Sequence, residues 1–246
     1  MTSSPDKPLS GLIALVTGAT RGIGRASALG LAEAGAHVIA VGRTQGALEE
    51  LDDEIKTRTG ENATLVPMDL AELDDIDTLA GVIRQRWGRL DILVHAAAQL
   101  GDMTPVSYLE PKVWDKVLLL NTTTPFRLIR ALEPLFRGSK AARPIFVTSS
   151  VAKTPRAFWG VYASSKAGMD ALVGAWADEV ENTPICPVLL SPGPMRTKMR
   201  AQAFPGEDPM TLPDPSEIAP LVVELARPDL NPAAYVEFKV WKAARA

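Results

Sequence analysis

The chain has a single cysteine, Cys186, so no intrachain disulfide can form and a reducing compartment is implied. No apolar run approaches the ~20 residues needed to span a bilayer, which excludes a transmembrane helix. Its first residues, Met1-Thr-Ser-Ser-Pro-Asp-Lys-Pro8, lack the apolar core and small-residue end of a secretory signal, and the chain reads as cytoplasmic. An excess of one charge is also missing. The 26 Lys and Arg face 29 Asp and Glu for a net charge of −3, with the signs interspersed, which speaks against a nucleic-acid face or an anionic-membrane patch. Without repeats, low-complexity tracts or linkers, 246 residues read as one domain spanning 1–246. Cys186 lies in Pro184-Ile-Cys-Pro-Val-Leu-Leu190, a buried-strand pattern that makes it a packed thiol rather than a nucleophile.

What is present begins with Ile13-Ala-Leu-Val-Thr-Gly-Ala-Thr-Arg-Gly-Ile-Gly24, an apolar run that breaks into glycines and then into helix-forming sequence. Strand, phosphate-binding turn and helix is the natural reading, with backbone N–H groups at the helix start offered to a pyrophosphate. The spacing Gly18-x-x-x-Gly22-x-Gly24 departs from the general G-x-G-x-x-G dinucleotide fingerprint.

Further along, strands are predicted at His37–Val41, Ala63–Pro67, Ile92–Ala96, Pro144–Thr148, Ile185–Leu190 and Tyr235–Trp241. Helices are predicted at Arg25–Ala34, Gln45–Thr59, Asp74–Trp87, Glu110 to Leu135, Tyr162–Val180 and Ser216–Arg227. Pro125 interrupts the fourth of these, because it has no N–H to give the Asn121 carbonyl, and a kink is expected there. Strands alternating with helices imply right-handed crossovers: an α/β, doubly wound, Rossmann-like parallel sheet covered on both faces. In such a sheet ligands bind at the carboxyl ends of the strands.

The residues expected at those ends resemble the short-chain dehydrogenase/reductase family from Leu9 to about Thr197. The matching pieces are Thr17-Gly-Ala-Thr-Arg-Gly-Ile-Gly24, Asp69-Leu70, Asn121, Ser150, Tyr162-x-x-x-Lys166 and Pro192-Gly193-x-x-x-Thr197. The resemblance implies an oxidoreductase moving a hydride between a nicotinamide cofactor and a carbonyl or secondary alcohol. Its catalytic set would be Asn121, Ser150, Tyr162 and Lys166, with no metal, and the protein would be a homodimer or homotetramer.

The residue types suit that chemistry. Tyr162 and Lys166 are four apart on a helix and so share a face. Lowering a phenol from a pKa near ~10 to ~7 requires roughly 4 kcal/mol, which a neighbouring ammonium and an oxidised nicotinamide would supply together. In the reducing direction Tyr162 would donate its proton to the carbonyl oxygen and Ser150 would hydrogen-bond the same oxygen, with Ser149 as the alternative serine. Lys166 would also hold the nicotinamide ribose, as the resemblance implies. The Asn121 carbonyl, freed by Pro125, would hold a water linking Lys166 to solvent.

The cofactor expected is NADP(H). Gly42 stands where users of NAD commonly carry an acid for the adenosine 2′-hydroxyl, and Arg43 with Arg21 would grip a 2′-phosphate. Gly18, Thr20, Gly22 and Ile23 are assigned to the phosphate turn, and Asp69 with Leu70 to the adenine. Ala97, Pro192, Gly193, Met195 and Thr197 line the remaining path with Tyr162 and Lys166. Where the family has Asn-Asn-Ala-Gly this chain has His95-Ala-Ala-Ala98, and His95 is read as filling the asparagine's place at the cofactor rather than as a catalyst. That departure puts in doubt the support of the segment carrying Asn121. A substrate with an apolar body is expected between Leu100–Thr104, Phe158-Trp159 and a lid at about 195–215 that holds Met195, Met199, Phe204 and Met210. The alternative, from another class, is a silent NADP(H)-binding sensor or scaffold subunit, which the altered 95–98 patch favours and the intact Asn121, Ser150, Tyr162 and Lys166 oppose.

Overall fold

A computed structural model describes residues 7–245; the reading of Met1–Pro8 falls for its first six residues outside the described part. Seven strands form one sheet: β1 Ile13–Thr17, β2 His37–Gly42, β3 Thr64–Pro67, β4 Ile92–His95, β5 Arg143–Val147, β6 Val188–Ser191 and β7 Tyr235–Glu237. Among the described residues nine α-helices accompany them: α1 Gly22–Glu33, α2 Gln45–Thr59, α3 Leu73–Trp87, α4 Pro111–Leu118, α5 Thr124–Phe136, α6 Gly160–Glu179, α7 Lys198–Ala203, α8 Ala219–Ala226 and α9 Phe238–Ala243. The strand order is β3-β2-β1-β4-β5-β6-β7 and every pair is parallel. The order reverses beside β1, so its carboxyl end and that of β4 flank the crevice where ligands of such sheets lie.

The β1 sequence is apolar at every position but the last because both of its faces are covered. Ala14 and Val16 point into a core shared with Leu29 and Leu31 of α1 and Leu221 and Leu225 of α8. Ile13 and Leu15 point the other way, to Ile76 and Ile83 of α3, Leu128 and Leu132 of α5 and Met169 and Trp176 of α6. Each fully buried leucine in these layers contributes roughly 2 kcal/mol of transfer free energy. These two layers hold the strand ends still, and the site is built on them.

Three local expectations are corrected. The long helix from Glu110 splits into α4, a π turn at Leu119–Thr123, and α5. Pro125 lies at the start of α5, Thr124 gives its N–H to Leu119 O, and its hydroxyl lies 2.9 Å from Leu70 O and 3.0 Å from Leu119 O. The sixth strand starts at Val188 rather than Ile185, since Pro187 cannot donate to a ladder, and Ile185 keeps only an isolated bridge to Ala142. The last strand stops at Glu237, and Phe238 to Trp241 turns helical. The alternating pattern there suits a strand, but the short β6 offers no partner beyond Ser191, and Phe238 and Trp241 stack at 6.0 Å on one helix face instead. No helix among the described residues is long and apolar enough to cross a membrane.

Candidate active site

A cleft of about 1130 Å³ opens along the carboxyl ends of β1, β2, β4, β5 and β6. At its centre the glycine loop passes so close to the end of β4 that a Cβ on Gly18, whose φ is +65°, would stand 2.9 Å from Ala97 N. Only glycine permits that approach. The loop delivers the N-terminus of α1 to the cleft, and no side chain caps its free N–H groups. Uncapped donors at a helix start, with its positive dipole end, suit an anion. Gly42 ends β2 against Thr20, whose methyl would lie 2.6 Å from an added Cβ. Any side chain at that position requires Thr20 to shift. Arg21 and Arg43 are both exposed at this end of the cleft, and Arg43 Nη1 lies 3.9 Å from Asp69 Oδ2. Asp69 also accepts from Ala71 N at 3.0 Å, which sets its carboxylate at the rim. Beyond it, Arg25, Glu54, Arg58 and Glu33 form a chain of ion pairs on the outer wall.

At the other end, α6 presents Tyr162 and Lys166 to the same cleft from one face. Lys166 is buried, and its Nζ donates to Val147 O at 2.8 Å. Burial pulls its pKa down to about 8. Burial pushes the Tyr162 phenol the other way, above its ordinary value, with the Asp170 carboxyl adding to the effect. The expected lowering by Lys166 is therefore not built into the protein alone; the phenol is held neutral and protonated, the form a proton donor needs. Ser150 is exposed to the cleft, whereas Ser149 Oγ accepts from Val151 N at 3.4 Å as the cap of a short 3₁₀ turn at Ser150–Ala152. Both serines line the cleft, and Ser150 is the one not engaged as a cap acceptor.

Asn121 sits in the π turn, fully buried and outside the cleft wall. Its Nδ2 donates to Gln99 O at 2.8 Å and Ser165 Oγ at 3.0 Å, and its Oδ1 accepts from Gln99 N at 3.0 Å. The side chain thus ties the strand that leaves β4 to α6, one residue before Lys166. The doubt raised by the 95–98 patch is answered by Gln99, whose backbone takes the amide on both sides.

His95 is the departure from expectation. Its ring does not line the cleft: it is fully buried, 5.8 Å from the Phe146 ring, with Nδ1 2.9 Å from Thr17 Oγ1 and Nε2 without a partner. Burial, with the charge of Lys166, lowers its pKa to about 3, so it is neutral and not a cofactor contact. Ala97 meets the cleft in its stead.

Pro192, Gly193, Met195 and Thr197 line the cleft after β6, with Thr20, Gly22, Ile23 and Leu70 on the opposite side. Arg196, which also lines the cleft, clasps Asp214 at 2.7 Å, and its backbone N–H donates to Pro213 O at 2.9 Å, so the two ends of the 196–214 segment are joined. Hydrogen bonds from Ser216 and the Arg196 guanidinium hold the Asp214 carboxyl near a pKa of about 2. Sequence reasoning left Arg196 without a role. Within the segment, Phe204 packs on Trp159 at 5.8 Å, and Trp159 on Tyr162 at 5.9 Å, an aromatic wall running from the segment to the phenol. Phe158, next to it, is the one non-glycine residue at positive φ among the described residues, +71°, a conformation costing on the order of 1–3 kcal/mol and typical of functional loops.

A family model described as short chain dehydrogenase matches residues 12–208. The chain belongs to the short-chain dehydrogenase family. Its relatives include an uncharacterized oxidoreductase of Escherichia coli K12, YciK, 39% identical over 223 residues, 90% of this chain and 88% of the relative. A short-chain dehydrogenase of Shigella flexneri 2a strain 301, solved with NADP, superposes with a TM-score of 0.90 at 36% identity, covering 94% of this chain and 98% of that one. Another, from Escherichia coli CFT073 and solved with NADPH, gives a TM-score of 0.87 at 38% identity over 91% and 94% of the two chains. The short-chain dehydrogenase assignment makes the protein a member of an oxidoreductase family that uses a nicotinamide cofactor and small-molecule substrates.

Proposed function

We propose that the protein is an NADP(H)-dependent reductase of a carbonyl compound with an apolar body, working reversibly on the corresponding secondary alcohol, with Tyr162 as general acid and base. The observation that carries this reading is the convergence on one cleft of a neutral buried phenol, the exposed Ser150 hydroxyl and the uncapped start of α1 with two arginines beside it.

The residues present fit the cofactor. The loop Gly18–Gly24 and the α1 N-terminus would hold the pyrophosphate, Arg21 and Arg43 the 2′-phosphate, Asp69 and Leu70 the adenine, Ala97 and Lys166 the ribose side, and Pro192, Gly193, Met195 and Thr197 the nicotinamide end. The relatives solved with NADP and NADPH support the same choice. When bound, NADPH supplies the hydride. Tyr162 gives its proton to the carbonyl oxygen as negative charge builds there, and Ser150 donates a hydrogen bond to that oxygen. Lys166 favours the phenolate that remains and then its reprotonation. Pro125 has no N–H to offer the Asn121 carbonyl, which supports a water at that oxygen as the outlet of the relay from Lys166. Trp159, Phe204 and Met199 pack the substrate's apolar body, and the segment 195–215 acts as its lid. The exposed Trp114 on α4 and Phe126 on α5 support a homo-oligomer.

A panel of ketones and aldehydes assayed with NADPH, beside a Tyr162→Phe control, tests the proposal. Turnover reduced by about 10²-fold or more in the control is expected. Undiminished turnover in the control would remove Tyr162 from the chemistry, and NADPH binding without turnover of any compound would favour the sensor or scaffold role.

A further inference from the structure

Tyr162 and Lys166 are not the only polar groups on their face of α6. Asp170 follows Lys166 by the same four residues that separate Lys166 from Tyr162, so one stripe of the helix carries three ionisable side chains in a row. Its neighbours along the chain, Met169 and Val173, belong to the core, where a carboxyl adds nothing to packing. Asp170 Oδ1 is nevertheless buried and without a hydrogen-bond partner, and so are Thr148 Oγ1 and Tyr235 OH. Orphaned buried oxygens are costly and rare. Three in one quarter of the molecule ask for a purpose other than stability.

Their arrangement suggests one. Thr148 directly follows Val147, whose carbonyl takes the Lys166 ammonium, and its hydroxyl bears on the Asp170 carboxyl, lowering that group's proton affinity, although Thr148 Oγ1 and Asp170 Oδ1 each lack a hydrogen-bond partner. The charged groups bearing on Asp170 are Lys166 from its own helix and Lys153 from the loop after β5, and Lys153 Nζ lies 3.0 Å above the Tyr235 ring of β7. Those bearing on Lys166 are Asp170 and, from β4, His95, which is neutral. From α5, Glu133 is engaged elsewhere, accepting from Trp176 Nε1 at 2.9 Å and from Arg137. Asp170, one helical turn along from Lys166, is therefore the carboxyl that bears on the active-site lysine.

We propose that Asp170 is a positioning residue for the reaction: the counter-charge that, with Thr148 as its link, holds Lys166 in its ammonium form against the Val147 carbonyl. The proposal deepens the reading of Tyr162 and Lys166 as the proton-donating pair and rests on it. Burial alone drives Lys166 towards the neutral amine, and Asp170 acts in the opposite direction. Burial holds the proton affinity of Asp170 above the ordinary carboxylate value, and Thr148, Lys166 and Lys153 work against that rise.

Lysine-selective ¹³C NMR of the full-length protein without cofactor, with Lys166 assigned through Lys166→Arg, reads the midpoint of that group directly. In Asp170→Asn, which keeps the shape of the side chain, the midpoint is expected to fall by about one pH unit. Thr148→Val should move it the same way by less, and Asp170→Glu should restore part of it. In NADPH-dependent turnover the alkaline limb of kcat/KM should move down with the NMR midpoint, while substrate KM at pH 6.5 stays within about twofold. A folded Asp170→Asn protein with an unchanged Lys166 midpoint overturns the proposal, and if that variant does not fold, an unchanged midpoint in Thr148→Val does so. A shifted midpoint combined with full activity in Tyr162→Phe overturns the catalytic reading and leaves the counter-charge standing, so the two failures are told apart.

Discussion

The imidazole Nδ1 of His95 meets the hydroxyl of Thr17 at 2.9 Å, joining the carboxyl ends of two adjacent parallel strands beside the cleft. Thr17 Oγ1 also lies 3.4 Å from Ala97 N, so this pair sets the backbone against which Gly18 packs. The ring stays neutral in the folded protein because charging it would strand an ion in the core.

A stability prediction follows from that neutrality. The folded-state pKa of His95 is about 3, below the ordinary 6.5, so the unfolded chain binds the proton first and stability drains away as pH falls from 6.5 towards 3. At pH 5 this one group costs about 2 kcal/mol relative to pH 7. Urea melts at the two pH values should show the loss in the native protein and a smaller one in His95→Asn. An identical loss in both would mean the ring is solvated.

Cofactor preference should be separable by charge. Arg43→Ala and Arg21→Ala are each expected to weaken NADPH binding by about tenfold, the worth of one charge-assisted contact, and to leave NADH binding unchanged. Nicotinamide fluorescence titrations provide the measurement. The Asp69 carboxylate near Arg43 is too exposed to consume that charge.

The clasp between Arg196 and Asp214 is half-exposed, so breaking it should cost less than about 1 kcal/mol of stability. Its effect is expected on the 196–214 segment, the proposed lid. Arg196→Ala is expected to raise substrate KM several-fold with little change in thermal midpoint, because the aromatic wall from Phe204 to Trp159 loses the anchor of its segment. Steady-state kinetics beside a melting curve decide it. The Asp214 carboxylate is stabilised down to about pH 2, so the clasp persists at mild acidity and weakens only as pH falls through that value.

Pro125→Ala adds an N–H that an α-helical register would give to the Asn121 carbonyl. If that carbonyl is the outlet of the proton relay, turnover should drop and the pH–rate profile change while NADPH affinity holds. A variant with native turnover and native profile would close that route.

The glycine loop, the i, i+4 spacing of Tyr162 and Lys166, and the alternation of strands and helices are properties of short stretches of chain. The sequence by itself therefore determined the doubly wound architecture, the end of the sheet where the cleft lies, and the side chains that line most of it. Burial and non-local partners are not encoded in any one stretch. That His95 points into the core while Ala97 meets the cleft, that Tyr235 starts a strand which β6 is too short to continue, and that Ser149 spends its oxygen on a cap depend on what packs alongside. Only the tertiary structure decided these, and with them the neutral phenol of Tyr162 and the low proton affinity of Lys166. Desolvation is the sum over every neighbouring atom, and those atoms come from β4, β5 and α6, brought together by folding alone.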